Sequence, residues 1–161
     1  MEIKKVVVIG SGTMGSGIAA QLCNANIPVT LLDLKTEISK KARDRIHKSR
    51  PPLLLDKSKI NNIKVGNILD DFAEVNEADW VVEAVVERID IKHDIYEKIF
   101  KERKKGAIVS SNTSSIPIKV LSQNLTEEEK KDFCITHFFN PPRYMDLLEI
   151  VKNENNDLEK I

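Results

Sequence analysis

The sequence predicts an α/β fold: a doubly wound, mostly parallel sheet with an antiparallel edge at its C-terminal end. Three observations predict it. Short apolar, β-branched runs alternate with segments of helical period, the first run leads straight into a glycine-rich turn, and the last two runs lie close enough in sequence to pair as neighbours. At 161 residues the chain has room for one domain with a substantial core and not for two ordinary ones.

The elements follow in order. Residues 3–9 read as a strand, 14–25 as a helix and 29–32 as a second strand. A helix over 36–48 places Ile38, Ala42 and Ile46 on one face. Pro51 and Pro52 break it, because proline removes a donor and restrains its predecessor, and an irregular connection runs to residue 62. Residues 63–65 form a short strand, a brief acidic helix follows, and 80–86 read as a buried strand. Then come a helix over 91–104, a strand over 107–111 and a short helix over 116–121. Residues 133–138 and 147–151 read as the last two strands. The polar segment 152–161 has no core-facing pattern and reads as a frayed end or the start of a linker, which leaves 1–151 as the folded domain.

Lys plus Arg and Asp plus Glu both number 25, interspersed rather than segregated, which argues against nucleic acid or an anionic membrane as partner. Cys23 and Cys134 have no metal-ligand spacing, so no metal is expected and both read as buried thiols in a reducing compartment. No stretch reaches the roughly 18 apolar residues of a membrane span, and MEIKKVVVIG is too short for a signal peptide, so a cytoplasmic protein is expected.

The segment Gly10-Ser11-Gly12-Thr13-Met14-Gly15 follows a strand and opens a helix. In that context the first glycine permits a tight turn, the second lets backbone approach a pyrophosphate, and the third allows close packing, while the helix N-terminus offers amide donors. Asp33 ends the second strand 23 residues after Gly10, where a carboxylate accepts from adenosine ribose hydroxyls and repels a 2′-phosphate. A Rossmann-type NAD site follows.

His137 lies near the end of a strand, on the side of the sheet where ligands bind, and Glu149 follows 12 residues later. A turn at Pro141-Pro142 would bring the carboxylate beside the imidazole, fix its tautomer and leave the other ring nitrogen free as a base. His47 and His93, on polar helix faces, read as ordinary surface residues. The run SSNTSS from Ser110 reads as a helix cap by Thr113 or Ser114, with a hydroxyl still available to substrate.

With these residues in place the chain resembles the L-3-hydroxyacyl-CoA dehydrogenase family, in its N-terminal NAD-binding domain. The resemblance is carried by GSGTMGSGIA, VVEAVVERIDIK, SNTSSI and HFFNPPRYMDLLE, in that order over nearly the whole chain. It implies NAD-dependent oxidation of a 3-hydroxyacyl-CoA to the 3-ketoacyl-CoA, or the reverse, in fatty acid β-oxidation. By the same resemblance His137 is the base, Glu149 its orienting partner, Ser114 a hydrogen bond to the reacting oxygen, and Asn140 a polar contact to cofactor and substrate. Glu87 and Lys92 match positions on the ribose and nicotinamide side of NAD, and Ser49 matches one near the CoA moiety. A lysine of the family falls on Asp56 here, with Lys57 adjacent, and the shortened Pro51-Pro52 segment is similar to dehydrogenases fused to an enoyl-CoA hydratase module. The resemblance also implies a helical C-terminal domain, absent from this chain, that closes over substrate and forms a homodimer. Two other readings stand beside it: a cofactor-binding module with little activity alone, and another hydroxy-acid dehydrogenase of similar fold.

Overall fold

Four consecutive buried residues, Val6–Ile9, form β1 in the interior of the sheet in the computed structural model, which describes residues 2–157 and Glu159. The glycine turn leads into α1 (Thr13–Asn24), then β2 (Val29–Asp33), α2 (Thr36–Lys48) and, after a six-residue 3-10 segment at Lys57–Asn62, β3 (Ile63–Asn67). A second 3-10 segment (Phe72–Glu77) returns the chain to β4 (Trp80–Glu83), followed by α3 (Ile89–Glu102) and β5 (Ile108–Ser111). Two four-residue helices, α4 (Ile118–Leu121) and α5 (Glu127–Lys130), precede β6 (Phe133–Phe138) and β7 (Leu148–Val151).

The seven strands order as β3-β2-β1-β4-β5-β6-β7, all parallel except the β6-β7 pair. The chain winds outward from β1 to β3, then restarts beside β1 with β4, so the switch in direction opens a crevice beyond the carboxyl ends of β1 and β4. Successive residues of β1 feed two cores. Val6 and Val8 pack with α1 and α2 residues such as Ile18, Ala42 and Ile46, whereas Val7 and Ile9 pack with Ile95, Tyr96 and Ile99 of α3. Burial on both faces is why these strands read as unbroken apolar runs.

The predicted architecture is the observed one, and its edges differ for physical reasons. The strand expected over 80–86 stops at Glu83, because the Glu83 carboxylate takes the Val85 N–H (2.8 Å) and turns the chain out of the ladder. The helix expected to start at 116 starts at Ile118 behind Pro117, and the hydroxyl of Thr113 accepts from Ile116 N (3.1 Å), closing a turn rather than capping the helix. Helix α5 was not expected, although TEEE carries its signature: Thr126 and Glu129 form a reciprocal capping box. The polar residues after β7 do not fray as far as Asp157. Asn153 and Asn156 donate to the Lys130 and Phe133 carbonyls at 2.8–3.0 Å, satisfying the last carbonyl of α5 and the first of β6.

Candidate active site

Gly10, with φ +100°, sits where a Cβ would lie 2.4 Å from the Ala84 carbonyl oxygen, so only glycine lets β1 turn this close to β4. Gly15 is as constrained: a Cβ there would lie 1.8 Å from the Gly10 carbonyl oxygen, so the third glycine packs the first turn of α1 against the glycine loop itself. Gly12 differs, since a Cβ would meet nothing within 4 Å. Its lack of a side chain keeps open space in front of α1, whose first turn has neither a side-chain cap nor an acidic residue. Unclaimed amides facing open space suit an anion, so the residues present fit the pyrophosphate of NAD.

Asp33 receives the Ser11 N–H (2.7 Å), the Ser11 hydroxyl (2.6 Å) and the Leu34 N–H (2.7 Å). It remains half-exposed at the end of β2, whereas Ser11 is buried. The N–H and the hydroxyl of Ser11 both serve to hold Asp33. On the far side of the loop Arg45 Nη2 donates to the Ser11 carbonyl (3.1 Å), a cation that sequence reasoning did not single out.

From this loop a cleft of about 930 Å³ runs across the carboxyl ends of the strands. Gly10, Ser11, Gly12, Thr13, Met14 and Asp33 line one end, and Glu87, Lys92, Ser114, His137 and Asn140 line the other. A volume at the upper end of the range for small-molecule sites suits a long ligand lying across the sheet.

His137 and Glu149 are direct partners in the antiparallel β6-β7 register, and His137 Nδ1 lies 2.8 Å from Glu149 Oε2. The imidazole also packs against the Phe139 ring, with centroids 4.6 Å apart and the planes tilted by 49°. With Nδ1 held by the carboxylate, Nε2 is the nitrogen free to exchange a proton. Ser114 and Asn140 are exposed on the same cleft, while Asn112, also lining it, accepts the Phe138 N–H (3.0 Å) and ties the loop after β5 to β6.

Lys92 is nearly sealed from solvent, its Nζ 2.7 Å from Glu83 Oε1 and 3.2 Å from Glu87 Oε2. Glu87 accepts from Thr113 and Ser115. Burial works to raise the Glu87 pKa, but the Thr113 hydrogen bond and the Lys92 charge outweigh it and hold the carboxyl below its ordinary range. Glu83 was missed from sequence; the signal was a carboxylate closing the apolar run WVVE, which cannot be buried without partners.

Ser49 is not brought to this cleft. Its hydroxyl donates to Ile46 O (2.9 Å) and accepts from Leu53 N (2.9 Å), terminating α2. The same 49–55 segment is clasped to the loop after β6 by Arg143, which donates to Leu54 O (2.9 Å) and to Pro52 O, and by Tyr144, which donates to Pro52 O (2.7 Å). Both cysteines are buried and unpaired, no cluster of three metal-ligating side chains occurs among the described residues, and no described helix is long and apolar enough to cross a membrane.

The chain is similar to several known proteins. A Rickettsia felis protein named as a fatty acid oxidation complex trifunctional enzyme is 48% identical over 157 residues, covering 93% of this chain and 22% of its own length. The “Probable 3-hydroxyacyl-CoA dehydrogenase” of Deinococcus radiodurans is 44% identical over 164 residues, covering 98% of this chain and 47% of its own. The crystal structure of 3-hydroxybutyryl-CoA dehydrogenase from Escherichia coli superposes with a TM-score of 0.87 at 27% identity, over 99% of this chain and 34% of that one. The chain thus spans between about a fifth and a half of these proteins. The profile of the family described as 3-hydroxyacyl-CoA dehydrogenase, NAD binding domain, matches residues 5–161, and the chain belongs to that family.

Proposed function

We propose that this chain is the NAD-binding and proton-transferring part of an enzyme that interconverts L-3-hydroxyacyl-CoA and 3-ketoacyl-CoA in fatty acid oxidation or its reverse. The observation that carries the reading is the 2.8 Å contact of His137 with Glu149 at one end of the cleft whose other end is the glycine loop. NAD, when bound, supplies the hydride acceptor. Gly10 to Gly15 and Asp33 hold its pyrophosphate and adenosine ribose, and Glu87, Lys92, Ser114 and Asn140 face its nicotinamide half.

His137 Nε2 takes the proton of the substrate hydroxyl, and Glu149 stabilises the imidazolium so formed. In the reverse direction the imidazolium returns that proton to the ketone oxygen. Ser114 and Asn140 orient the reacting oxygen by hydrogen bonds. For the CoA moiety only the resemblance speaks for Ser49, whose hydroxyl here terminates α2. A cytoplasmic location accords with two unpaired cysteines.

Residues 1–151 form the cofactor-binding unit, and 152–161 lead toward a helical segment that closes over substrate and pairs two subunits. One observation favours little activity without that segment: the Glu149 side chain is 51% exposed, so water screens the dyad on the β7 side.

The test is a single-turnover assay with protein in excess over NADH, using acetoacetyl-CoA and, separately, free acetoacetate. NADH oxidation by the thioester alone, lost in His137→Ala, is the expected result. Oxidation by the free acid but not the thioester would shift the reading to another hydroxy-acid dehydrogenase, and equal rates in His137→Ala would remove the base. Steady-state turnover by the isolated chain separates the complete active site from the cofactor module.

A further inference from the structure

The Glu83 side chain is fully buried at the end of β4, yet it accepts four hydrogen bonds, and its partners come from three separate pieces of the cleft wall. Oε1 accepts from Lys92 Nζ (2.7 Å) on α3 and from Val85 N (2.8 Å) in the loop after β4. Oε2 accepts from Tyr96 OH (2.7 Å) on α3 and from Ser111 Oγ (2.7 Å) at the end of β5. Lys92 passes the connection to Glu87, and Glu87 accepts from the hydroxyls of Thr113 and Ser115, the two neighbours of Ser114. Of these side chains, Lys92 and Glu87 reach the cleft; Glu83 does not.

We infer that Glu83 is a positioning residue for the nicotinamide half of the cofactor site, acting through Lys92 and the 111–115 loop and touching neither cofactor nor substrate. The inference rests on the reading of the cleft as an NAD site. Two physical facts support it. A buried ammonium needs a counter-charge, and the 40% exposed Glu87 at 3.2 Å is a weaker one than the sealed Glu83 at 2.7 Å. Two of the four partners of Glu83, the Lys92 ammonium and the Val85 amide, can only donate, and the two hydroxyls donate to it as they stand.

Replacement by glutamine changes this without changing shape. Neither Lys92 nor the Val85 amide can act as acceptor, so the glutamine oxygen must face them and its NH2 must face Tyr96 and Ser111. Those hydroxyls then have to turn, and the Ser111 oxygen, which also accepts the Thr113 N–H at 3.3 Å, becomes crowded by donors. Among the described residues Lys92 is left with Glu87 as its only charged partner and is drawn toward it. Both shifts move the wall that carries Ser114. The Val85 amide, beside Gly10, keeps its acceptor in the glutamine oxygen, so the Ala84-Val85 backbone on which the glycine loop packs is left in place, as is Asp33 on β2.

The experiment compares affinities for NADH and for ADP-ribose, which lacks the nicotinamide, by calorimetry on wild type and Glu83→Gln. NADH binding is expected to weaken about tenfold, with ADP-ribose binding unchanged within about twofold, a split that local loss of one charge-assisted contact produces. Equal weakening of both ligands, or of neither, would overturn the inference, because a merely fold-supporting role does not discriminate between the two halves. Should Glu83→Gln not fold, the double variant Tyr96→Phe, Ser111→Ala, which removes both donors to Oε2 and keeps the charge, is judged by the same split. Failure of the wild type to bind either ligand would refute the NAD site itself and is thereby distinguished.

Discussion

Glu149 stands directly opposite His137 across the β6-β7 pair, and its Oε2 lies 2.8 Å from the imidazole Nδ1. The antiparallel register puts the two side chains on one face, and the chain between them only has to turn back.

Glutamine at position 149 would still accept a hydrogen bond from Nδ1–H while removing the charge that stabilises the imidazolium. Glu149→Gln is therefore expected to slow single-turnover NADH oxidation by acetoacetyl-CoA substantially but less than His137→Ala, whose loss should reach about 10²–10⁴-fold, the usual worth of a positioned general base. NADH affinity should stay close to wild type in both, since neither residue belongs to the glycine loop. A Glu149→Gln variant with full rate would show that the carboxylate is only a neighbour.

How much of this was readable from residues alone divides along a physical line. The β1 turn, Asp33 and the His137 with Glu149 pair were legible because each depends on local rules: glycine where the backbone must turn, a carboxylate at a strand end, and alternation along two facing strands. Glu83 was not, because its partners Lys92, Tyr96 and Ser111 meet it only once α3 and β5 have packed beside β4. Lys92 was assigned to the cofactor side by resemblance, yet nothing in the helical period of α3 marked it as nearly fully buried. The clasp of Arg143 on the Pro52 and Leu54 carbonyls joins segments about 90 residues apart and had no local signal.

Acid stability should carry the mark of one glutamate at the sheet edge. Lys64, then Lys5 and Thr30, hold the Glu74 carboxyl down to about 2, against its ordinary 4.5. Because the folded value lies below the unfolded one, the stabilisation is fully present above the ordinary value and is lost as pH falls toward the folded one. Thermal melts across that window should show Glu74→Gln to be less stable than wild type near neutrality, with the gap closing toward about pH 2. A gap constant with pH would mean that the ion pairs contribute nothing measurable.

The thiols should be silent in the native protein. Burial pushes Cys23 up to about 11 and Cys134 up to about 12, and only the thiolate is a nucleophile. An Ellman titration at about pH 8, near the ordinary thiol pKa, should therefore find almost no reactive thiol in the folded chain and both on addition of denaturant. Rapid labelling of one cysteine without denaturant would place it outside the core, against the burial of Cys23 on the inner face of α1 and of Cys134 in β6.

The glycine loop offers the sharpest separation of fold from function, since two of its glycines should fail in opposite ways. A methyl at position 15 would lie 1.8 Å from the Gly10 carbonyl oxygen, so Gly15→Ala must displace backbone. A cost of about 1–3 kcal/mol or more is expected for such overpacking, a fall of several degrees in Tm. A methyl at position 12 meets no atom within 4 Å, so Gly12→Ala should melt close to wild type, with at most the modest cost of alanine at a helix N-cap. Its effect should appear instead in binding, because the methyl occupies the space through which a pyrophosphate reaches the uncapped amides of α1. The pair is therefore read as a double dissociation: Gly12→Ala loses NADH and ADP-ribose alike and keeps its Tm, whereas Gly15→Ala loses Tm first. If Gly12→Ala bound both ligands as tightly as wild type, the anion would have to lie elsewhere than against the start of α1.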